Sequence, residues 1–390
     1  NYERCRKLCG ITIENNEIKN ILSLLDIEEQ SCDGDQAVMN VPTYRVDVRR
    51  EADIIEEVLR IYGFNQVQIP EKMNTSMASR NDSNKEKLYN LTANLLTDNG
   101  FSEIMNNSLT SSSNWKKAAE TGFSAEEDVH ILNPLSLELD VMRQTLLFGG
   151  LNSIEHNQNR QHPDLKLFEF GSVYKKTAEG YDEQSKLGIW LSGRLEEEQW
   201  NGSDENVSFY TMKGVIESLL VKIGIDKAVS MTDSQVQLFD YGYDISITKK
   251  SIGTIGLVRK DICKKFGIKS DVFYADLNWG MMIELSKINK VSYKTLPKTQ
   301  FSRRDFSLLL NEEVTFESIE KIAFSEDRKI LKEVGLFDVY QGKDLEKGKK
   351  SYAVSFIFHD EEETLKDEQL DKIMNGIRQK LESELGAELR

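Results

Sequence analysis

The last hundred residues switch repeatedly between strand and helix periodicity, and that order restricts the fold more than any other feature. RRDFSLLL has the pattern of a strand, FESIEKIAF that of a helix, and KEVGLFDVY and SYAVSFIF are two further strand patterns before the helix DEQLDKIMNGIRQKLESEL. Tyr352, Val354, Phe356 and Phe358 alternate on one face, as a strand over a core requires. The order predicts a ferredoxin-like split βαβ module over residues 296–390.

The segment from residue 80 to residue 290 contains strand-like runs that follow one another, with helices inserted unevenly. The strand candidates are LKLFEFGSVY, LGIWLSG, YDISI, SIGTIGLV and VFYADL, and the helix candidates are KEKLYNLTANLLTDNG and FYTMKGVIESLLVKIGI. Consecutive strands without regular crossover helices favour an antiparallel sheet. We therefore predict an α+β module here.

A third, small α/β module is predicted over residues 1–70. NNEIKNILSLLDI has the apolar stripe of a helix, and AVMNVP has the pattern of a strand stopped by Pro42. The polar run EKMNTSMASRNDSNKE lacks large aliphatic residues, which indicates a linker to the next module. A chain of 390 residues is too long for one core, so three modules of an α+β protein are reasonable.

The stretch VPTYRVDVRREADIIEEVLRIYGF concentrates charge in the pattern DxxxxxDxxEE. The four acids of the pattern are Asp47, Asp53, Glu56 and Glu57. In a helix that starts near Asp53 and ends at Gly63, these spacings place Asp53, Glu56, Glu57 and Arg60 on one side and the aliphatic residues on the other.

Two interpretations of these acids stay open on the residues alone. Acids in a first helical turn suit the helix dipole, and Glu56 with Arg60 forms a good i,i+4 pair. Alternatively, clustered carboxylates repel one another, and a hard cation such as Mg²⁺ relieves the repulsion. Asp47 discriminates between the two, because it lies on the strand side of the turn, outside the helix.

The overall charge excludes a generally basic nucleic-acid-binding surface. Lys and Arg total 50 against 65 Asp and Glu, a net charge of -15, so any RNA contact must be a local patch. No apolar run is long enough for a membrane span and no signal segment opens the chain, so we expect a cytoplasmic protein. The four cysteines form no CxxC pair, and a first residue other than Met is typical of a fragment.

VPTYRVDVRREADIIEEVLRIYGFNQVQIP resembles the small domain of the bacterial phenylalanine–tRNA ligase beta-subunit family. The resemblance continues through LNPLSLELDVMRQTLLFGGLNSIEHNQNR, LKLFEFGSVY, LPKTQFSRRDFSLLL, VGLFDVYQGKDLEKGKKSYAVSFIF and LGAELR. Several long motifs in the right order cover essentially the whole chain. The resemblance implies the C-terminal portion of such a subunit, without the oligonucleotide-binding and editing domains that the family carries upstream.

The resemblance implies that this chain is a non-catalytic partner. In that family two alpha and two beta subunits attach phenylalanine to tRNA-Phe with ATP. The chemistry lies in alpha, while beta supplies scaffold and tRNA contacts. The middle module is similar to a class II synthetase catalytic fold that has lost its chemistry: in VFYADLNWG, Asp276 and Asn278 stand where the final motif has glycines, and no arginine follows. We therefore expect ATP to be used by the holoenzyme and not bound by this chain. Arg143 and Arg160, which remain nearby, are interpreted as packing or interface residues.

The resemblance also assigns residues to metal and RNA. Asp47, Asp53, Glu56 and Glu57 match the family's Mg²⁺ sites, which are shared with the alpha subunit. The last module is similar to an anticodon-binding domain, yet it has 17 basic against 21 acidic residues from residue 291 onward, so tRNA contact depends on clustering. The clustered candidates are Arg303, Arg304, Lys343, Lys347, Lys349 and Lys350. For each of these residues, the alternative is a place on a solvated hairpin or in a packed core, without contact to RNA.

Two rival functions remain from other classes. One is a stand-alone RNA-binding or scaffold protein without a synthetase partner. The other is a metal-dependent phosphodiesterase that uses the acidic cluster, although such enzymes usually need histidines or more carboxylates around two metals, and none lies near Asp47 in the sequence.

Overall fold

The computed structural model describes residues 1–69, 72, 83–114, 122–134, 136, 138–196, 198–202, 204–287, 293, 295–342 and 345–389. The chain divides into two compact units, Asn1–Asn90 and Leu91–Arg390, each described here by itself. The predicted linker falls mostly outside the described residues, and the boundaries of the three predicted modules remain predictions. Within the described ranges, no helix has the length and apolar character needed to cross a membrane.

The first unit combines three helices with a two-stranded antiparallel hairpin. Its elements are α1 (Tyr2–Cys9), α2 (Asn15–Ser23), β1 (Glu28–Asp33), β2 (Gln36–Asn40) and α3 (Glu51–Tyr62), followed by the start of α4 (Ser83–Asp98). The sequence predicted α2 and β2 but missed β1. All but one of the β1 residues are exposed, so the strand carries no apolar alternation that a pattern could detect.

Helix α3 packs one side of its surface into the core of this unit. Ile55 and Val58 are buried there with Tyr2, Leu22 and Val48, while Ile54, Leu59 and Tyr62 are half-buried against the same cluster. The predicted apolar side of the helix is thus confirmed. The helix begins at Glu51, two residues before the predicted start, and ends at Gly63, whose φ of 101° favours glycine.

The central sheet of the second unit has seven strands in the order β3-β6-β7-β11-β10-β9-β8. Every neighbouring pair is antiparallel except β3 and β6, which are parallel. The strands are β3 (Ser102–Glu103), β6 (Leu165–Thr177), β7 (Gly180–Ser192), β8 (Val229–Asp233), β9 (Phe239–Ile247), β10 (Lys250–Val258) and β11 (Val272–Asn278). The predicted antiparallel α+β architecture is confirmed.

Helices and one small strand pair complete this part of the unit. They are α5 (Leu147–Gln158), α6 (Phe209–Ile223), α7 (Lys260–Lys265), α8 (Trp279–Ser286) and the pair β4 (Leu109–Thr110) with β5 (Val141–Met142). Trp190 is fully buried beside Tyr274, and their ring centroids lie 5.1 Å apart. The indole fills the space above Gly150 of α5, where a Cβ would come within 2.1 Å of its ring.

The C-terminal sheet has the order β13-β14-β12-β15, entirely antiparallel. Its elements are β12 (Ser302–Asn311), α9 (Phe316–Glu326), β13 (Leu331–Tyr340), β14 (Lys349–Phe358), α10 (Asp367–Leu385) and β15 (Glu388–Leu389). Val354, Phe356 and Phe358 are buried with Ile319 and Ile377 of the two helices, so the alternating face of β14 is core, as predicted. The predicted ferredoxin-like order is confirmed; the short β15 was not predicted.

We expect Gly150→Ala to destabilise the second unit by about 1–3 kcal/mol, because the added methyl group overpacks against the Trp190 ring. Gly214→Ala is the matched control. Gly214 also lies inside a helix, but its Cβ would meet nothing within 4 Å, so this change should stabilise the protein by about 0.5–1 kcal/mol. Urea denaturation measures both. Equal effects of the two substitutions would contradict the close contact at Trp190.

Candidate functional site

The start of helix α3 is organised by the carboxylate of Asp53. Its Oδ2 accepts hydrogen bonds from the backbone N–H groups of Arg49 (2.9 Å) and Arg50 (2.8 Å), and its Oδ1 accepts one from the Arg50 guanidinium at 3.0 Å. These donors favour the ionised carboxylate and lower the pKa of Asp53 to about 2. Asp53 therefore caps the helix whose first N–H groups would otherwise lack acceptors.

Arg45 connects two more of the predicted metal ligands. One of its terminal nitrogens, Nη2, lies 2.9 Å from Asp47 Oδ2 and 3.1 Å from Glu57 Oε1. The pKa of Asp47 is lowered by the hydrogen bond from Arg45, and that of Glu57 is lowered mainly by Arg60 and further by Arg45. Arg60 contacts Glu57, so the predicted pair of Arg60 with Glu56 is wrong; the i,i+3 partner has displaced the i,i+4 partner.

The four predicted metal ligands do not meet in this structure. Asp53 caps the helix, Asp47 and Glu57 contact Arg45, and Glu56 is exposed on the surface of α3. In the described ranges, no group of three or more Asp, Glu, His or Cys side chains is placed to hold a metal ion. The residues present in this chain therefore do not fit a complete magnesium site by themselves.

Asp276 and Asn278, which the resemblance places at glycine positions of a catalytic motif, both have structural partners. Asp276 on β11 forms an ion pair with Lys186 on β7, with 3.1 Å between Nζ and Oδ1. Asn278 caps α8, since its Oδ1 accepts a hydrogen bond from the backbone N–H of Met281 at 3.0 Å. Strand β11 is thus followed directly by helix α8. The two polar side chains stabilise this arrangement, one through an ion pair between strands and the other as a helix cap.

Arg143 is a buried packing residue, as predicted. Its Nη1 lies 2.6 Å from Glu169 Oε1, and the two side chains are only 8% and 1% exposed. Its Nε donates to the carbonyl oxygen of Ser172 at 2.9 Å, and Asn106 donates through its side-chain amide to the other Glu169 oxygen at 2.8 Å. The guanidinium is therefore held inside the module and unavailable to a ligand.

The other arginines between residues 83 and 287 are Arg160, Arg194 and Arg259. Arg194 pairs with Asp164 and Arg259 with Asp261. Arg160 is exposed, and its Nη1 donates to the carbonyl oxygen of His156 at 3.0 Å. Clamping the phosphates of a nucleotide requires planar cationic donors that converge on one place. Arg143, Arg194 and Arg259 are each paired with an acid of this chain, which disfavours their binding nucleotide phosphates.

The C-terminal sheet has an outer face opposite the helix-covered core. Cross-strand register places Arg303 of β12 opposite Ile357 of β14 on this face, and Asp305 opposite Ser355. The guanidinium carbon of Arg303 lies 4.9 Å from the centre of the Phe337 ring. Phe337 is 55% exposed, so a cation and an aromatic ring are presented together.

Phe337 was missed as a candidate in the sequence, although Val334 and Leu336 face the core and regular alternation places Phe337 on the outer face. The register of β13 on β14 shifts between Leu336 and Asp338, which inserts one extra residue. Tyr340, also exposed, stands opposite Ser351 on the same face. In the sequence, Phe337, Tyr340 and Tyr352 were equally plausible as exposed aromatic residues. In the structure Phe337 and Tyr340 face outward, whereas Tyr352 packs against the core.

The five tRNA-contact candidates that the structure describes do not form one patch. Arg304 pairs with Asp367 at the start of α10 (2.6 Å), and Lys349 pairs with Glu388 (2.8 Å). Lys350 is buried, and its Nζ donates to the carbonyl oxygen of Glu312 at 2.7 Å. Lys347 is exposed in the turn, and Lys343 lies outside the described residues.

The arginine pair and the lysine pair also lie at opposite ends of one ladder. Arg303 stands opposite Ile357, whereas Lys350 stands opposite Leu310. Seven residues along an extended strand span roughly 23 Å. Arg303 pairs with Asp305 at 2.8 Å, but that ion pair is exposed and the guanidinium also lies over an exposed ring, so among the described candidates it is the most suited to RNA. Lys350, whose ammonium is hydrogen-bonded in the interior, is the least suited.

Three protein-family models match consecutive parts of the chain. The model described as tRNA synthetase B5 domain matches residues 1–64. Phenylalanyl tRNA synthetase beta chain CLM domain matches residues 69–279, and ferredoxin-fold anticodon binding domain matches residues 297–390. The second match alone covers more than half of the chain.

Curated relatives match over the full chain. The phenylalanine–tRNA ligase beta subunit of Bacteroides fragilis (strain YCH46) is 42% identical, with 100% of this chain and 49% of the relative covered. The phenylalanine–tRNA ligase beta subunit of Fusobacterium nucleatum is 32% identical, and the match again covers 100% of this chain and 49% of the relative. The chain spans about half the length of the curated relatives it matches. The solved structure of a pyrrolysyl-tRNA synthetase from Desulfitobacterium hafniense aligns at 13% sequence identity. The alignment covers 52% of this chain and 69% of the synthetase chain. Its TM-score of 0.42 is too low to support an argument.

We expect Glu169→Gln to destabilise the second unit by about 3–5 kcal/mol, because it leaves the buried Arg143 charge without an anionic partner. Glu317→Gln is the control, since it breaks an exposed pair with Lys321 and should change stability by less than about 1 kcal/mol. Both are measured by urea denaturation followed by circular dichroism. If Glu169→Gln costs no more than the control, the buried pair does not have the structural role assigned to it.

Proposed function

Because this chain belongs to the phenylalanine–tRNA ligase beta-subunit family, we propose that it is the non-catalytic C-terminal portion of such a subunit. It pairs with an alpha subunit that attaches phenylalanine to tRNA-Phe with ATP, in an assembly of two alpha and two beta chains in the cytoplasm. The observation that carries the proposal is the family match across residues 69–279, in which Asp276 and Asn278 have structural partners where the catalytic motif has glycines. A stand-alone RNA-binding or scaffold protein is not favoured by this match.

The catalytic-like module acts as a scaffold. Its buried arginine is neutralised by Glu169, and two further arginines have acid partners of their own. Adenylate formation gathers negative charge on phosphates, which needs free convergent cations. ATP is therefore bound by the alpha subunit and not by this chain.

The C-terminal module contacts tRNA through the outer face of its sheet. Arg303 and Phe337 present a cation over an exposed ring, and Tyr340 lies exposed on the same face. Exposed rings stack on unpaired bases, and a guanidinium contacts phosphates or stacks as well. Lys347 and Lys349, with Lys343, contribute through backbone phosphates at the β13–β14 turn. Lys350 contributes less, because its ammonium is buried and donates to the carbonyl oxygen of Glu312. Arg303, Arg304 and Lys349 each have an acid partner at the surface (Asp305, Asp367 and Glu388), which a phosphate can replace.

Magnesium is bound between two chains. The proposed ligands from this chain are Asp47, Asp53, Glu56 and Glu57, which are not grouped here, so the alpha subunit must supply further oxygens. Mg²⁺ commonly takes one or two carboxylates and keeps several waters. The metal phosphodiesterase alternative is disfavoured, because the described carboxylates and histidines form no cluster for even one metal.

The tRNA contact is tested on the chain co-purified with its alpha subunit. Phe337→Ala should weaken tRNA-Phe binding about tenfold, since one base–aromatic stack is worth roughly 1–3 kcal/mol. Arg303→Ala should weaken it and lower its salt dependence. Arg378→Ala is the control, as Arg378 lies on helix α10 and pairs with Glu382. Binding is measured by filter retention at several salt concentrations.

Two results would contradict the proposal. If no alpha-type chain co-purifies, the subunit assignment fails. If Phe337→Ala and Arg378→Ala bind tRNA equally well, the outer face of the sheet is not the RNA surface, even though the subunit assignment stands.

A further inference from the structure

Helix α6 presents a stripe of four residues to solvent. Positions at spacings of four, three and four residues lie along one side of the helix, and they hold Tyr210, Gly214, Glu217 and Val221. All four are exposed, Tyr210 by 80% and Val221 by 62%. The opposite side of α6 is buried in the module through Met212, Ile216, Leu219, Leu220 and Ile223. The alternating spacing of this α6 stripe is that of the seam between two paired helices.

Gly214 has no structural reason within its own chain. It lies in the interior of α6, where glycine destabilises a helix relative to alanine. A Cβ at this position would meet nothing within 4 Å, and the backbone of Gly214 does not have a positive φ. A second helix that packs closely on α6 would supply a reason, because its side chains could reach the bare backbone.

Aromatic rings extend the α6 stripe at the N-terminal end of the helix. The Phe209 ring contacts those of Tyr241 and Tyr243 on β9, with centroid distances of 5.9 and 5.1 Å. Tyr241 is 47% exposed. Exposed tyrosine rings suit a protein interface, because they bury a large area at a low cost in side-chain entropy.

The α6 stripe is complementary to itself about a two-fold axis. Two antiparallel α6 helices that cross midway between Gly214 and Glu217 set Tyr210 of one copy opposite Val221 of the other, and Gly214 opposite Glu217. Apolar side chains then meet apolar side chains, and each glutamate lies over the backbone of a glycine.

The charges of the α6 stripe match in the same arrangement. Lys213 pairs with Glu217 of its own helix at 3.4 Å, and both side chains are at least 40% exposed. In the antiparallel pair, Lys213 lies at the level of residue 218 of the second copy, next to the Glu217 carboxylate of that copy. Each glutamate therefore has a lysine of both copies within reach.

We propose that the α6 stripe is a contact surface for a second copy of this chain, packed antiparallel about a two-fold axis. RNA is disfavoured as the occupant, because Glu217 at the centre of the stripe would repel its phosphates. The inference goes beyond the proposed function and requires neither alpha subunit nor tRNA, although the proposed assembly contains two copies of this chain.

Sedimentation velocity of the purified chain, over a hundredfold range of protein concentration, tests the contact. The mass should rise with concentration from that of the 44.7 kDa monomer toward twice that value. Gly214→Gln should weaken dimerisation about tenfold or more, because its side chain separates the two backbones at the centre of the contact. Tyr210→Ala should weaken dimerisation by a similar factor. Tyr181→Ala is the control, since Tyr181 is 77% exposed on β7, away from α6, and should dimerise as the parent does.

A charge exchange tests the antiparallel arrangement itself. Glu217→Lys places like charges at the centre of the contact and should weaken dimerisation. Adding Lys213→Glu to Glu217→Lys exchanges the two charges within each copy and should restore it. Circular dichroism of every variant checks folding; if Gly214→Gln is unfolded, Gly214→Ala decides, since the helix favours alanine and its methyl group should still weaken the dimer.

Three outcomes would overturn the proposal. A parent chain that stays monomeric over the whole range forms no such contact. Dimerisation that is unchanged in the folded Gly214 and Tyr210 variants occurs through another surface. If these variants lose binding to purified alpha subunit while the parent chain alone is monomeric, the α6 stripe belongs to a different protein partner. Binding of the parent chain to alpha subunit and tRNA is measured separately, so a failure here leaves the proposed function standing.

Discussion

The ion pair between Arg143 and Glu169 is the interaction on which the central sheet depends. Both side chains are almost fully buried, and a buried carboxylate is expensive unless a cation and hydrogen-bond donors compensate it. Here the pair joins the segment before α5 to strand β6, and Asn106 closes the network from the segment after β3. Three separate parts of the chain are thus fixed by one compensated charge, which can neither leave nor serve a ligand.

Internal compensation recurs at the acidic cluster of the first unit. There Arg45 neutralises Asp47 and Glu57, as Arg143 neutralises Glu169. The Arg45 pairs are partly exposed to solvent, so each of them stabilises the fold less than the buried pair does. The described acids and arginines singled out as candidate site residues are therefore mostly paired within the chain. Among the candidate residues that the structure describes, the exposed aromatic ring of Phe337 with Arg303 on the C-terminal sheet is presented outward.

Periodicity predicted most of the fold, because apolar alternation and helical spacing are local and survive in the folded protein. The C-terminal order, the strands β6, β7, β9, β10 and β11, and the buried side of α3 all followed from it, whereas β8 was not predicted. Strand β1 did not follow from it either, since its residues are polar on both faces. The start of α3 was misplaced because Asp53, which looked like the first helical residue, caps the helix from its third position.

The candidate sites were harder to predict because partner choice and side-chain direction are tertiary properties. Four of the six basic candidates are adjacent pairs in sequence, yet strand alternation sends Arg303 and Arg304 to opposite faces. Lys350 looked exposed by its charge, but the carbonyl oxygen of Glu312 and the ring of Tyr352 hold it inside. Tyr340 shares the outer face with Phe337 only because of the one-residue bulge between Leu336 and Asp338, for which the sequence carries no signal.

The central claim is that the charges of this chain are compensated internally, so that its synthetase-like module binds no nucleotide. Phenylalanine-dependent exchange of pyrophosphate into ATP tests it most directly, with the purified chain alone, the alpha subunit alone and the two together. The account predicts no exchange above background for this chain alone and the full exchange rate only in samples that contain alpha. Exchange by this chain alone, lost on the Asp276→Ala substitution, would contradict it.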